Sequence, residues 1–316
     1  YARLSSLNPR WKIAENQSDE FSSWMGASGE SEDDGSDSVD RAPRKRAELV
    51  VWLQRSPSAA APFHDDAWRD VCRTRFFQSV LALCDLSRSG LWPISRWIEA
   101  LHAWSEEDVV SRSWRYASPL VQSMPDDVFR DVVRALTSWI ETASKKTDAS
   151  EESMLSLCAR VLGLAQVVGS FGEPGNSMDR PVAEAINHPV GHVAQTVLNL
   201  WFRRKPKDDD QLPTDIRALL TQICDHRLTH FRPGRVIVAS QLVALFRVDR
   251  EWTVANLLPF FDWNLHPSEA KFAWEGFLRS PRLYRPLLVA LKSPFLETPT
   301  HYAELGSHRR QFATLL

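Results

Sequence analysis

Glycine is scarce, at 12 of 316 residues. Sandwiches, barrels and nucleotide-binding sheets need glycine for tight turns and close backbone approach, so the chain offers those folds little support. No apolar run nears the roughly 18 residues that a membrane-spanning helix requires, and the first residues do not read as a secretory signal. Cysteine is limited to Cys72, Cys84, Cys158 and Cys224, far apart and each within a helical apolar pattern. They are expected to be reduced core residues of a cytoplasmic protein, with no disulfide framework. The net charge is only −2, which gives the whole chain no field to recruit nucleic acid or an anionic membrane.

Catalytic signatures are absent as well. The sequence holds no Gly-x-x-x-x-Gly-Lys phosphate loop, no Gly-x-Gly-x-x-Gly, no Gly-x-Ser-x-Gly elbow and no His-Glu-x-x-His. His188 and His192 are four apart, as a helical metal pair would be. Pro189 opens that helix, however, so His188 is expected to cap it. Cys224, His226 and His230 mix possible ligands without a second pair at zinc-finger spacing, and a helical stripe already accounts for Cys224. Acidic pairs such as Glu106–Glu107 and Asp126–Asp127 fall at helix starts and in loops, where carboxylates oppose the helix dipole. No catalytic residue, metal or cofactor is expected.

What the sequence does have is helical rhythm. Ile216, Leu219, Leu220, Ile223 and Cys224 repeat at i, i+3, i+4, i+7 and i+8, one buried stripe. Val190 to Trp201 and Ala270 to Leu278 do the same. Val128 to Ile140 forms a wider stripe, Trp68 to Cys84 marks a long helix, and Val236 to Phe246 is apolar nearly all round, as in a helix held between neighbours. Asp126 and Asp127 place acids in a first turn, and Pro189, Pro213 and Pro267 mark helix starts. Tryptophan, at 13 residues, suits gaps between helices.

Pro189, Pro233 and Pro267 open apolar helices at intervals of 44 and 34 residues, the range of HEAT-like or armadillo-like helix pairs. The expected fold is all-α, an irregular α-solenoid, with a non-repetitive helical bundle as the alternative. Residues 1–26 read as the end of a preceding region and 27–44 as an acidic-then-basic flexible linker. Residues 45–178 and 179–316 read as two helical subdomains. The start at Tyr1-Ala2-Arg3-Leu4 and the stop within an apolar rhythm suggest part of a longer polypeptide.

Two surface candidates stand out. Arg203, Arg204, Lys205 and Lys207 form the best basic patch, at a helix end and followed by Asp208 to Asp210. Trp252, Phe260, Phe261 and Trp263 belong to a dense aromatic run. Trp263, in the turn Asp262-Trp263-Asn264-Leu265-His266, is expected to be an exposed interface anchor.

That aromatic run leads into Ala273-Trp274-Glu275-Gly276-Phe277-Leu278. Leu291-Lys292, Phe295-Leu296, Glu304-Leu305-Gly306 and Arg310-Gln311-Phe312 follow. From about residue 180 to 316 the chain resembles the C-terminal domain of unknown function that follows sirtuin-like domains in some bacterial anti-phage defence proteins. The resemblance implies a regulatory or scaffolding part that stands beside an NAD-consuming part and does not turn over NAD itself. The expected function is a non-catalytic interaction module that binds a protein partner or itself. A nucleic-acid-binding helical array, using Arg203 to Lys207 and Arg41 to Arg46, is the alternative.

Overall fold

Ile216, Leu219, Leu220 and Ile223 fall on one side of a ten-residue helix, and all four are buried, as their spacing requires. The same holds along the chain. A computed structural model describes residues 42–55, 67–146, 150–169 and 181–315, and among them every regular element is helical. The N-terminal part comprises α1 (Arg46–Leu53), α2 (Ala67–Thr74), α3 (Phe76–Arg88), α4 (Ile94–Trp104) and α5 (Val110–Gln122). The middle comprises α6 (Asp126–Asp131), α7 (Val133–Ser144), α8 (Glu151–Val168), α9 (Pro181–Asn187), α10 (Pro189–Arg203) and α11 (Thr214–Ile223). After these come α12 (Arg232–Ala239), α13 (Leu242–Val248), α14 (Arg250–Asn256) and α15 (Pro267–Leu278). The chain closes with α16 (Arg285–Ala290), α17 (Lys292–Glu297), a 3₁₀ segment Thr298–His308 and α18 (Arg309–Ala313).

Start signals act where expected. Asp126 and Asp127 occupy the first turn of α6, and Pro189 and Pro267 open α10 and α15. Pro213 sits one residue earlier, at the N-cap of α11. Three apolar runs that read as single helices are each broken. Trp68 to Cys84 divides at Arg75 (φ −116°, ψ 46°), whose guanidinium donates to the Pro43 and Ala42 carbonyls at 3.1 and 3.3 Å. Val128 to Ile140 divides at Val132 (φ −96°, ψ 0°). Val236 to Phe246 divides at Ser240–Gln241, where the Ser240 hydroxyl donates to the Ile237 carbonyl at 2.6 Å.

The longer helices touch in sequence. α4 packs on α7, α7 on α10, α10 on α12 and α12 on α15. Two glycines allow the closest approaches. A Cβ on Gly191 would lie 1.7 Å from the Ala185 carbonyl oxygen, and one on Gly276 would lie 2.4 Å from that of Val236. The boundary expected near residue 178 falls among residues outside the described part. The helices on either side of it, α7 and α10, share one continuous hydrophobic core and are joined by an Asn199–Ser144 hydrogen bond of 2.8 Å. Of the expected linker 27–44, only residues 42–44 are described. Among the described residues no helix is long and apolar enough to cross a membrane.

Candidate functional site

Adjacent residues on a helix point about 100° apart, so the pair Phe76–Phe77 cannot bury both rings in one core. Phe76 is buried, while Phe77 is 51% exposed. On the same outward side of α3 follow Leu81, 44% exposed, then Cys84 and Arg88. Helix α3 is thus apolar on two sides. Its inner stripe of Phe76, Val80, Leu83 and Leu86 meets the core, and its outer stripe meets none.

Helix α5 stands beside it with the same division. Trp114, Ala117 and Val121 face inward, while Tyr116, 45% exposed, lines a shared groove with Pro119, Leu120 and Ser123. Pro119 lies inside the helix and has no N–H to give the Arg115 carbonyl, a break that bends helices. The groove occupies about 700 Å³, within the range of ligand-sized clefts.

Both ends of the groove are aromatic. At one, Phe77 meets Tyr116 edge-on at 5.1 Å, and the Arg112 guanidinium lies 4.7 Å above the Phe76 ring. Arg115 lies 5.6 Å from the Tyr116 ring, within cation–π reach. The other end is set by Gly90. Its φ of 72° ends α3, with Leu91 N–H donating to Leu86 at 2.9 Å and Gly90 N–H to Ser87 at 3.0 Å. That pair of bonds is a Schellman cap. The chain then doubles back and places Trp92 across the groove, 5.7 Å from Trp97.

None of the four proposed interface aromatics lies here, and none is exposed. Trp263 is 2% exposed, its indole donating to Thr298 Oγ1 at 2.9 Å and stacking on His301 at 4.1 Å. Within the turn Asp262–His266 the Trp263 ring is covered by the 3₁₀ segment Thr298–His308, which arrives some thirty-five residues later in the chain, while Asn264 and Leu265 stay exposed. Phe261 meets Trp274 edge-on at 5.2 Å. Phe260 lies beneath the Arg235 guanidinium, and Trp252 donates to Thr221 Oγ1 at 2.8 Å. All four are core residues, and the interface expected at them is withdrawn.

The basic patch is matched by carboxylates at Arg204. Arg204 donates to both Asp215 oxygens at 2.9 and 2.5 Å and to Glu151 at 2.5 Å. The hydrogen bonds to Asp215 hold its guanidinium above its ordinary pKa. Arg203 donates to the Ser144 carbonyl, and the Lys207 N–H donates to Asp210 at 2.7 Å. Lys205 is exposed, with φ 53°. Other acids join helices. Glu106 takes Arg73, Glu107 takes Lys146, and Asp126 takes Arg160.

The histidines are placed by local geometry. His188 caps α10, its Nδ1 accepting the Val190 N–H at 3.1 Å, so that nitrogen is already used. His192 Nδ1 lies 2.5 Å from Glu141. Burial would raise the Glu141 carboxyl, but its hydrogen bonds from His192 and Lys145 prevail and hold it below its ordinary value. His226 lies 5.7 Å from His266, ring centre to ring centre. Among the described residues no three His, Cys, Asp or Glu gather as a metal site would need. Cys72, Cys158 and Cys224 are buried free thiols. Burial pushes the last two up to about 12, which leaves little thiolate. Cys84, expected in the core, is half-buried in the groove wall instead.

Compared with family models, with curated proteins and with solved structures, the chain matches none. The reading of the groove therefore rests on its own chemistry. Phe77, Leu81 and Tyr116 were not singled out from the sequence. The available signal was the arc of apolar residues on α3, too wide for one buried stripe.

Proposed function

We propose that this chain is a non-catalytic helical interaction module, an irregular array of helix pairs that docks a protein partner in the groove between α3 and α5. One observation carries the reading: Phe77, Leu81 and Tyr116 form an exposed apolar strip with aromatic ends on otherwise well-packed helices. Exposed strips of that kind mark binding surfaces, and aromatics are enriched where proteins meet. The successive packing of α4, α7, α10, α12 and α15 supports the array. The resemblance of residues 180–316 to the sirtuin-associated defence domain supplies a setting, in which the module regulates or assembles an NAD-consuming protein in the cytoplasm. A protein partner suits the chain better than nucleic acid does, because Arg204, in the best basic patch, is already engaged by Glu151 and Asp215.

An environment-sensitive apolar dye tests whether the groove is open in the folded chain. The native chain should enhance its fluorescence, and Leu81→Glu should remove most of that enhancement while the far-UV circular dichroism stays unchanged. No enhancement by the folded chain, or the same enhancement in Leu81→Glu, would contradict the reading.

A further inference from the structure

Resting on that docking reading, we propose that the occupant of the groove is a short amphipathic helix of a protein partner, acidic on the face it does not bury.

Shape gives the first argument. The groove has two helical walls and a lining that includes the apolar Val80, Cys84 and Leu120. From Phe77 to Arg88 it runs about 16 Å, three turns of helix. A helix carrying apolar side chains at i, i+4 and i+7 presents one such strip over that length. The aromatic ends suit a ligand of limited length.

Charge gives the second. Helix α5 contains Arg112 and Arg115 and no acid. The single acid of α3, Asp85, is shared between Arg46, at 2.6 Å, and Arg88, at 3.9 Å. Among the described residues Arg112 and Arg115 form no ion pair, whereas Arg73, Arg160, Arg204 and Arg235 all hold carboxylates. Both free guanidiniums lie over ring faces, Arg112 on Phe76 and Arg115 on Tyr116. Through Phe77, 6.0 Å from Arg112, and Tyr116 they lie next to two rings of the groove lining, and charge beside an apolar surface sets partner choice and encounter rate. In a chain of net charge −2 this is a local excess of cation beside apolar surface. Nucleic acid would meet too few cations there and an apolar lining with no use for phosphate.

The test uses the full chain and three labelled peptides of about 18 residues, long enough to hold a helix. The three share leucines at i, i+4 and i+7 and carry Glu, Lys or Gln at the remaining positions. Fluorescence anisotropy should show the Glu peptide binding, the Lys peptide at least about tenfold weaker, and the Glu affinity falling as salt rises. Arg115→Glu should erase the preference for Glu over Lys, and Leu81→Glu should abolish binding with circular dichroism unchanged. If the Lys or Gln peptide binds as well as the Glu peptide, the acidic partner is wrong while groove docking stands. If no peptide binds, this proposal fails, and the dye result separately reports whether the groove is open. Self-association of the chain that Leu81→Glu abolishes, without peptide binding, would name a second copy as occupant and overturn the proposal.

Discussion

Glu275 shows what a single buried group does to the whole chain. It is 3% exposed, with the His308 ring nitrogen 3.7 Å away and itself pushed toward neutrality by burial. Burial raises the Glu275 carboxyl from 4.5 to about 7, against the opposing charge of Lys271. The folded state therefore holds a proton that the unfolded state releases, and stability falls as pH rises between 4.5 and 7. Glu275→Gln is predicted to stabilise the protein at pH 8 by up to about 3 kcal/mol and to change little near pH 4.5, as urea denaturation at both values would show. His188 works in the opposite sense. Burial first, then the charge of Arg134, pushes it down to about 4, and its neutral Nδ1 accepts the cap bond. Its contribution is present above pH 6.5 and lost as pH falls toward 4. His188→Asn should retain the cap and remove that loss, while His188→Ala should cost about 1 kcal/mol at neutral pH. Trp263, as a core ring, leads to a third expectation. Trp263→Ala should cost about 3 kcal/mol or more, and Trp263→Phe about 1 kcal/mol for the lost bond to Thr298. A melting temperature unchanged by Trp263→Ala would restore the exposed placement expected from the sequence.

At the scale of elements, Gly276 marks the tightest joint between long helices. A Cβ there would press on the Val236 carbonyl and on Ala239 of α12. Helix propensity favours Gly276→Ala by about 1 kcal/mol, but the joint must open to admit it. Overpacking of this kind costs roughly 1–3 kcal/mol, so the net effect on thermal unfolding should be destabilising. A stabilised variant would show that α12 and α15 slide apart freely. The same scale decides how much was legible in the sequence. The stripes of α10, α11 and α15 were readable because their apolar residues keep the 3.6-residue period from end to end, although α10 and α15 prove buried on most sides. The breaks at Arg75, Val132 and Ser240–Gln241 were not, because a one- or two-residue kink leaves the apolar rhythm in phase on both sides. Arg75 is stabilised there by carbonyls 32 and 33 residues away, a contact no local pattern encodes. The burial of Trp263 likewise depends on Thr298, 35 residues later. The groove stayed hidden because outward apolar residues on α3 look the same, in sequence, as the edge of a broad buried stripe.

At the scale of the molecule, the packed series α4, α7, α10, α12 and α15 links the groove-bearing helices to the C-terminal helices. Ion pairs between elements reinforce the series, among them Arg73 with Glu106, Arg160 with Asp126 and Arg204 with Asp215. Exposed pairs add little individually, so rigidity comes from the continuous core that runs past both sides of residue 178. A scaffold of this kind holds α3 and α5 at a fixed spacing, and a preformed groove avoids the ordering cost of binding. The most direct measurement is photo-cross-linking in the native host with benzoylphenylalanine in place of Leu81, against the same probe in place of the exposed Glu152 on α8. Docking in the groove predicts a discrete protein adduct from position 81, absent from position 152 and suppressed when Arg115→Glu is added. No adduct from position 81, or equal labelling from both positions, would contradict it.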